Sequence, residues 1–490
     1  MKRLLLALLP WVVVACGDQP TAVREPTRDV LPTLSLSVGQ SAIVQPGWWW
    51  EVTFDSLPEL SSSAVVFLGM SRYTFYNPDG GKEPVQWFQF LASAPGRTVV
   101  TLRSAGAPHV VQDTINVQVS VPHGAFAQVS VGLSLNTCAV TTQGGGFCWG
   151  TLYTTQADSL AAYAKPVYDV PGAVPGGRTW TAFSGGFQHI CGLATDGAAY
   201  CWGYNSSGQL GNDNGIGSSL AYTPAPVAVT GGLTFQAVSA GSYHTCGLTT
   251  SGAIYCWGGD YRGQLGNGTT SYVNGALVAV SGGLTFVAVT VSDDHSCGLT
   301  AAGVAYCWGD NGAGELGTGD TVPSTVPVPV TGGLKFVALS AGYAHGCGLT
   351  QAGAAYCWGN NGAGELGHGT TVRSTSPVLV SGGLTFASIS AGQDYTCGVT
   401  TGGAAYCWGD NSYGTLGNSA NLFTHNANPT PLPVSGGLTF QTVSAGYLHT
   451  CGVTTTGTMY CWGDNSEGEL GNGSFSITGA SVTPVLVSGP

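Results

Sequence analysis

Cys246-Gly-Leu-Thr-Thr-Ser-Gly-Ala-Ile-Tyr-Cys256 consists of two short β-prone runs around Thr250-Ser251-Gly252. The central residues read as a three-residue hairpin loop, a type I turn followed by a left-handed residue, which Gly supplies without steric cost. With the loop centred on Ser251, Leu248 faces Ile254 and Cys246 faces Cys256. Opposed residues of an antiparallel pair lie about 4.5–5.5 Å apart at Cα, within disulfide reach. The pattern occurs seven times: Cys138 with Cys148, Cys191 with Cys201, Cys246 with Cys256, Cys297 with Cys307, Cys347 with Cys357, Cys397 with Cys407, and Cys451 with Cys461. Each copy carries a Gly at the same place. Successive copies begin 50 to 55 residues apart, the period of a repeat architecture. The expectation is seven hairpin-spanning disulfides.

Each hairpin follows a β run, as in Leu334-Lys-Phe-Val-Ala-Leu-Ser-Ala-Gly342, and before it an extended run, Pro327-Val-Pro-Val330, and the turn Thr331-Gly-Gly333. Framed this way, a unit has four strands. The hairpin leaves through Trp308-Gly-Asp-Asn-Gly-Ala-Gly-Glu-Leu-Gly317, too rich in Gly and Asn for regular structure. Small antiparallel sheets in tandem suit an all-β, seven-bladed β-propeller of four-stranded blades, whose ring leaves only short edges. The first copy lacks a matching Pro-Val-x-Val run ahead of it, and the C-terminus carries a spare one, Pro484-Val-Leu-Val487. The expectation is that this C-terminal strand enters the sheet of Cys138 and Cys148 and closes the ring.

The run Tyr255-Cys-Trp-Gly-Gly-Asp-Tyr-Arg-Gly-Gln-Leu-Gly-Asn-Gly268, with Ala240-Gly-Ser-Tyr-His-Thr-Cys-Gly-Leu248 before it, resembles the regulator of chromosome condensation repeat family. Similar blocks start at Tyr200, Tyr306, Tyr356, Tyr406 and Tyr460; the first copy departs after Cys148-Trp-Gly150 and lacks Gly-Gln-Leu-Gly. The resemblance spans about residues 124–490. It implies a seven-bladed propeller that works mainly as a protein-binding platform. Some relatives promote nucleotide exchange on a small GTPase and bind chromatin, and a secreted bacterial relative inhibits β-lactamases. None of those specialised contact sets is matched here.

Met1-Lys-Arg3, the apolar run Leu4–Val14 and Val13-Val-Ala-Cys16 read as a lipoprotein signal peptide, residues 1–16, with Cys16 as the lipidation site. The run is too short to span a membrane as a helix. Of 15 cysteines, 14 pair and Cys16 is the one left over. Export also supplies the oxidising compartment that the pairs need. The expected location is the outer membrane or cell surface, with the propeller facing the periplasm or outside. Residues 17–33 form a tether. Residues 34–122, without Cys, are expected to be an immunoglobulin-like β-sandwich, because Gly96-Arg-Thr-Val-Val-Thr-Leu-Arg103 and Asp113-Thr-Ile-Asn-Val-Gln-Val-Ser-Val121 alternate as half-buried strands do. Residues 124–490 are the propeller.

Net charge is −12 and only 8% of residues are charged. Nucleic-acid binding needs clustered cations, so chromatin and RNA are excluded as partners. His189, His244, His295, His345 and His449 each stand two residues before a Cys. They recur on separate blades, whereas zinc needs four ligands at one point, so structural hydrogen bonding is expected. The loops Asp310-Asn-Gly-Ala-Gly-Glu315, Asp410-Asn-Ser-Tyr-Gly414 and Asp464-Asn-Ser-Glu-Gly-Glu469 could hold calcium or simply cap their own turns. Trp149, Trp202, Trp257, Trp308, Trp358, Trp408 and Trp462 read as packing between blades, with an aromatic sugar-binding row as the other reading. In Trp48-Trp49-Trp50 consecutive side chains point to opposite faces, so a ring near solvent is expected.

No nucleophile–base motif or P-loop is present, so no catalytic, cofactor or metal residue is assigned. The expected function is a monomeric, surface-tethered, non-enzymatic binding or scaffold protein. Its propeller loops, above all Thr151–Lys165 and Ser419–Asn428, would bind a protein or glycan. The alternatives are an inhibitor of a secreted enzyme and an extracellular polymer hydrolase or lyase.

Overall fold

The computed structural model of the chain describes, in the propeller, residues 125–151, 167–212, 216, 222–422, 424, 426–475 and 479–489. The chain divides into two units, Met1–His123 with Ser488–Pro490, and Gly124–Val487. In the first, strands form two four-stranded sheets. Their side chains, including Cys16 and Trp50, and the tether fall outside the described residues.

The second unit is a seven-bladed propeller of four-stranded antiparallel sheets, each built from strands consecutive in sequence. Blade five is representative: Phe336–Ala341 innermost, then His345–Thr350, Ala355–Gly359 and the outer strand Ser374–Leu379. The second and third strands pair as the hairpin arithmetic requires, with Cys347 opposite Cys357 and Leu349 opposite Ala355. All seven expected disulfides form at a separation of ten residues. Cys138 is bonded to Cys148, Cys191 to Cys201, Cys246 to Cys256 and Cys297 to Cys307. Cys347 is bonded to Cys357, Cys397 to Cys407 and Cys451 to Cys461. In the third blade's hairpin Gly252 holds φ at 85°. A Cβ there would come within 2.5 Å of Thr285, so any larger residue meets both strain and a clash.

Two expectations are corrected. The Pro-Val-x-Val run belongs to the preceding blade, not to the unit that follows it. Ser324–Pro329 pairs with Ala305–Gly309 of blade four, placing Val328 opposite Cys307. The register breaks between Cys307 and Gly309, where φ is 106° and a Cβ would lie 2.4 Å from the Asp294 carbonyl oxygen. That break lets the loop run out and return along the outer edge of its own sheet. For the same reason the C-terminal strand Ala480–Leu486 pairs with Met459–Asp464 of blade seven, placing Val485 opposite Cys461. Blade one has its own outer strand, Val167–Ala173, and the C-terminal strand does not enter the sheet of Cys138 and Cys148.

The ring closes by seam chemistry instead. Blade six meets blade five through Phe386 N–H to Gly353 O at 2.8 Å and Ala391 N–H to Ser340 Oγ at 2.9 Å. Blade one meets blade seven through the equivalent pair, Phe126 N–H to Gly457 O at 2.9 Å and Val131 N–H to Ser444 Oγ at 2.9 Å. The seam joining the two ends of the ring is thus bonded like one inside it.

Candidate functional site

Six of the seven seams are built by a Gly-Gln/Glu/Thr-Leu-Gly loop, which blades two to seven each carry. Leu316 of blade four is fully buried with the Cys297–Cys307 disulfide against Phe336 and Trp358 of blade five. Leu210, packed with Cys191 and Cys201, and Leu416, packed with Cys397 and Cys407, do the same in blades two and six. The residue before the Leu offers its backbone carbonyl to the next blade: Trp257 Nε1–H donates to Gln209 O at 2.9 Å and Trp358 Nε1–H to Glu315 O at 2.8 Å. The tryptophans therefore pack between blades, and their buried indoles are not a sugar-binding row.

The histidines complete the same seam. His189 Nε2 lies 2.8 Å from Thr245 Oγ1, and that hydroxyl donates to Gln209 O at 2.9 Å. With the hydroxyl proton committed, Nε2–H must be the donor, which fixes a neutral tautomer. The relay recurs as His244–Ser296–Gln264, His345–Thr396–Glu365 and His449–Thr137–Glu469. Burial lowers the pKa of His189, His244, His345 and His449 to about 3 and that of His295 to about 4. Blade five carries Gly346 where the hydroxyl would be, and His295 Nε2 has no partner among the described residues. These rings are seam hardware, and among the described residues no group of three or more His, Cys, Asp or Glu could hold a metal.

The Asp/Asn loops are held from within. Asn311 Oδ1 accepts the Leu316 N–H at 3.0 Å, and its Nδ2 donates to Val322 O at 3.1 Å. Asn361 and Asn411 repeat the first bond at 2.9 Å. The carboxylates of Glu315 and Glu365 fold back onto the Ala313 and Ala363 N–H groups.

Because strands alternate in direction, the turn between the first two strands and the loop between the third and outer strands share one face of the ring. On this loop face stand Asp260, Asp293, Asp294, Asp310, Glu315, Asp320, Glu365, Asp394, Asp410, Asp464, Glu467 and Glu469, with Arg262 and Arg373 as its described cations. The opposite face, made of the hairpins and the blade-to-blade turns, carries Asp196, Arg178 and Lys335. Charge is thus segregated to one side.

The buried carboxylates Asp260, Asp293, Asp294, Glu315, Glu365, Asp394 and Glu469 of this face resist ionisation. Burial raises Asp260 to about 6 and Glu365 to about 7, and raises Glu469 as well. Burial also raises Asp294 to about 6, helped by the charges of Asp293 and Asp310; Arg262 opposes this weakly. Asp293 is raised by burial while the Ser242 and Tyr343 hydroxyls favour its charged form. Tyr261 donates its hydroxyl to Asp294 Oδ1 and stacks on Tyr272, which is 83% exposed. Tyr243 packs beside Phe187, with ring centroids 6.3 Å apart. Tyr343 and Tyr413 are exposed on the same side, as are the loop tips Val322, Val372 and Phe475. Sequence reasoning counts these acids without seeing their placement. The signal is present as fixed offsets: just before the second-strand His295 or Tyr395, and two to seven residues after the third-strand Trp, with Asp320 twelve residues after Trp308.

The first seam differs. A cavity of about 280 Å³ lies between blades one and two, lined by Tyr168, Val174, Ile190, Trp202 and Tyr222. It stands where the other seams hold the loop Leu, and residues 152–166, which connect the third and outer strands of blade one, lie outside the described residues. Of the two loops singled out as binding segments, this one is therefore not described. The described residues of Ser419–Asn428 lie on the loop face, with Asn421 in a left-handed conformation at φ 47°.

The molecule is a disulfide-locked propeller presenting one acidic and aromatic loop face. Residues 164–489, more than half of the chain, match the model of the RCC1-like domain, and the chain belongs to that family. It is 34% identical over 138 residues to the probable E3 ubiquitin-protein ligase HERC4 of Mus musculus, covering 28% of this chain and 13% of the relative. It is 33% identical over 130 residues to the ultraviolet-B receptor UVR8 of Arabidopsis thaliana, covering 26% and 29%. The matches therefore span less than a third of these relatives' lengths. Among solved structures, human WBSCR16 superposes with a TM-score of 0.61 at 19% identity, over 70% of this chain and 93% of that one. Prp20p of Saccharomyces cerevisiae, a structure described with its binding to Gsp1p and histones, gives 0.60 at 22% identity over 71% and 87%. At these identities the superpositions speak for the fold.

Proposed function

We propose that this chain is a non-enzymatic binding and scaffold protein, tethered at the cell surface through a lipid on Cys16, with residues 34–122 as a spacer. The propeller presents its loop face to a protein or surface glycan. The observation that carries this reading is the segregation of carboxylates and exposed tyrosines onto one face of a rigid ring. Seven disulfides and bonded seams hold the scaffold, so the loops are free to vary in sequence without loss of fold. Membership of a family whose structural neighbours include a protein described as binding Gsp1p and histones supports binding over catalysis.

The test is affinity isolation from native envelopes with the intact chain as bait, against a bait in which Asp293, Asp294, Tyr343 and Tyr413 are all replaced by Ala. Recovery of one protein or glycan by the intact bait alone supports the reading. Turnover of polysaccharide or peptide substrates by the purified chain would replace it with the enzyme. Metabolic lipid labelling of wild type and Cys16→Ser tests the anchor: label retained on the variant removes Cys16 from that role.

A further inference from the structure

The loop face has a focus. At the first turn of blade four, Asp293 and Asp294 stand in succession, and no other described blade carries two acids there. On the preceding blade they meet Ser242, Tyr243 and Tyr261, and on the following blade Tyr343. The charges of both aspartates reach the phenols: Tyr343 is pushed up to about 12, first by Asp293 and then by burial. Tyr243 is raised by burial and by both aspartates. Asp310, at the start of the blade-four outer loop, adds a third negative charge. Arg262 is the cation that lowers the pKa of Asp294, less than its other neighbours shift it, and among the described residues no cation belongs to the groups that shift Asp293.

Two independent features coincide here. One is uncompensated negative charge in a partly desolvated setting, where Coulomb attraction for an incoming cation is stronger than in open water. The other is exposed aromatic surface: Tyr343 is 43% exposed, and Tyr272, stacked on Tyr261, is 83% exposed. A tyrosine face attracts a cation and also packs against the aliphatic stem that carries it. Apolar loop tips exposed on the same face, Val322 and Val372, add uncharged contact area to that face. A neutral glycan would use the rings and donate hydroxyl hydrogen bonds to the carboxylates but leave their charge uncompensated, and an anionic glycan would be repelled. A basic protein segment uses both.

We propose that Asp293 and Asp294, walled by Tyr243, Tyr261 and Tyr343, receive a lysine or arginine side chain of a protein partner docked on the loop face. This rests on the binding function above and narrows its partner to a cationic protein surface. The probe is a panel of short Lys- and Arg-containing peptides, with matched peptides carrying acetyl-lysine and citrulline, measured against the oxidised full chain by fluorescence polarisation.

Cationic peptides bind, and neutralising them weakens binding at least about tenfold. Asp293→Asn/Asp294→Asn produces a similar loss. Raising the salt concentration weakens the wild type much more than the double variant. Tyr343→Ala weakens binding with the salt dependence retained. Asp196→Asn on the opposite face changes nothing, and near-ultraviolet circular dichroism shows each variant folded. Peptide binding indifferent to charge, or unaffected by the aspartate pair, overturns the cation site. If the native partner from the envelope isolation still binds the Asp293→Asn/Asp294→Asn chain at full strength, the cation site falls and the binding function stands. Absence of any native partner and any peptide binding removes both.

Discussion

Replacing Trp308 with Phe tests whether the seams hold as described. Trp308 is fully buried, its ring packs on Phe286 at 6.2 Å between centroids, and its Nε1–H donates to Gln264 O at 2.9 Å. The same carbonyl also accepts from Ser296 Oγ at 2.8 Å, so it is not stranded when the indole goes. Loss of the hydrogen bond should therefore cost about 1 kcal/mol and not a full desolvation penalty. The smaller ring leaves a void that cannot collapse readily, because backbone stands against it: a Cβ on Gly266 would come within 2.6 Å of Nε1. That void adds about 1–2 kcal/mol, for a total of about 2–3 kcal/mol.

Trp202 supplies the internal control. It is 8% exposed and lines the first-seam cavity, so part of its packing is already missing. Trp202→Phe should cost about 1 kcal/mol. The assay is urea unfolding of the oxidised full chain followed by far-ultraviolet circular dichroism, with midpoints compared at a common slope. Equal losses at the two positions would refute the argument that the loop carbonyl and Leu plug hold the seams.

Four further outcomes are expected. Non-reducing peptide mapping should link each propeller cysteine to the one ten positions away, and Cys347→Ala/Cys357→Ala should cost up to about 2.7 kcal/mol by the chain-entropy model; a cross-blade link, such as Cys201 to Cys246, would overturn the hairpin pairing. Stability should have a broad maximum at about pH 5–6.5. The five buried histidines have lowered pKa values, so their contribution is lost as pH falls below about 6.5, when the unfolded chain takes up protons the folded one refuses. The buried acids have raised pKa values, so stability also declines as pH rises through about 6 for Asp294 and about 7 for Glu365; Glu365→Gln should flatten that alkaline limb in a pH series of midpoints. Gly252→Ala forces a non-glycine residue to φ 85° and should lower stability by about 1–3 kcal/mol in the same urea assay; an unchanged midpoint would mean the hairpin loop adapts. Deleting residues 483–490 removes Val485 and Val487 from the cluster holding Phe126 and Trp149, so hydrogen exchange should quicken in blades seven and one while the Cys246–Cys256 hairpin stays protected; uniform quickening would show the ring losing closure outright.

The hairpins, their disulfides and the number of repeats were legible in the sequence because the interactions that define them are local. Cys246 and Cys256 are brought together by a loop whose conformation three residues decide, and Gly252 is required there whatever surrounds it. The all-β class followed from the same residues repeated. The allocation of strands to blades was not legible. Ser324–Pro329 has the same extended pattern whether it pairs backward with Ala305–Gly309 or forward, and the choice rests on the break at Gly309 and on Leu316 seating against Trp358 in the next blade. The C-terminal strand was misplaced for the same reason, since its partner is set by a loop closing on its own sheet. The histidines gave no hint in the sequence of which hydroxyl they meet, because Thr245 lies 56 residues from His189. The loop face, too, is a property of the ring. Acids spread over more than 200 residues lie on one side only because alternating strand direction sends every first turn and every outer loop to the same end of the blades.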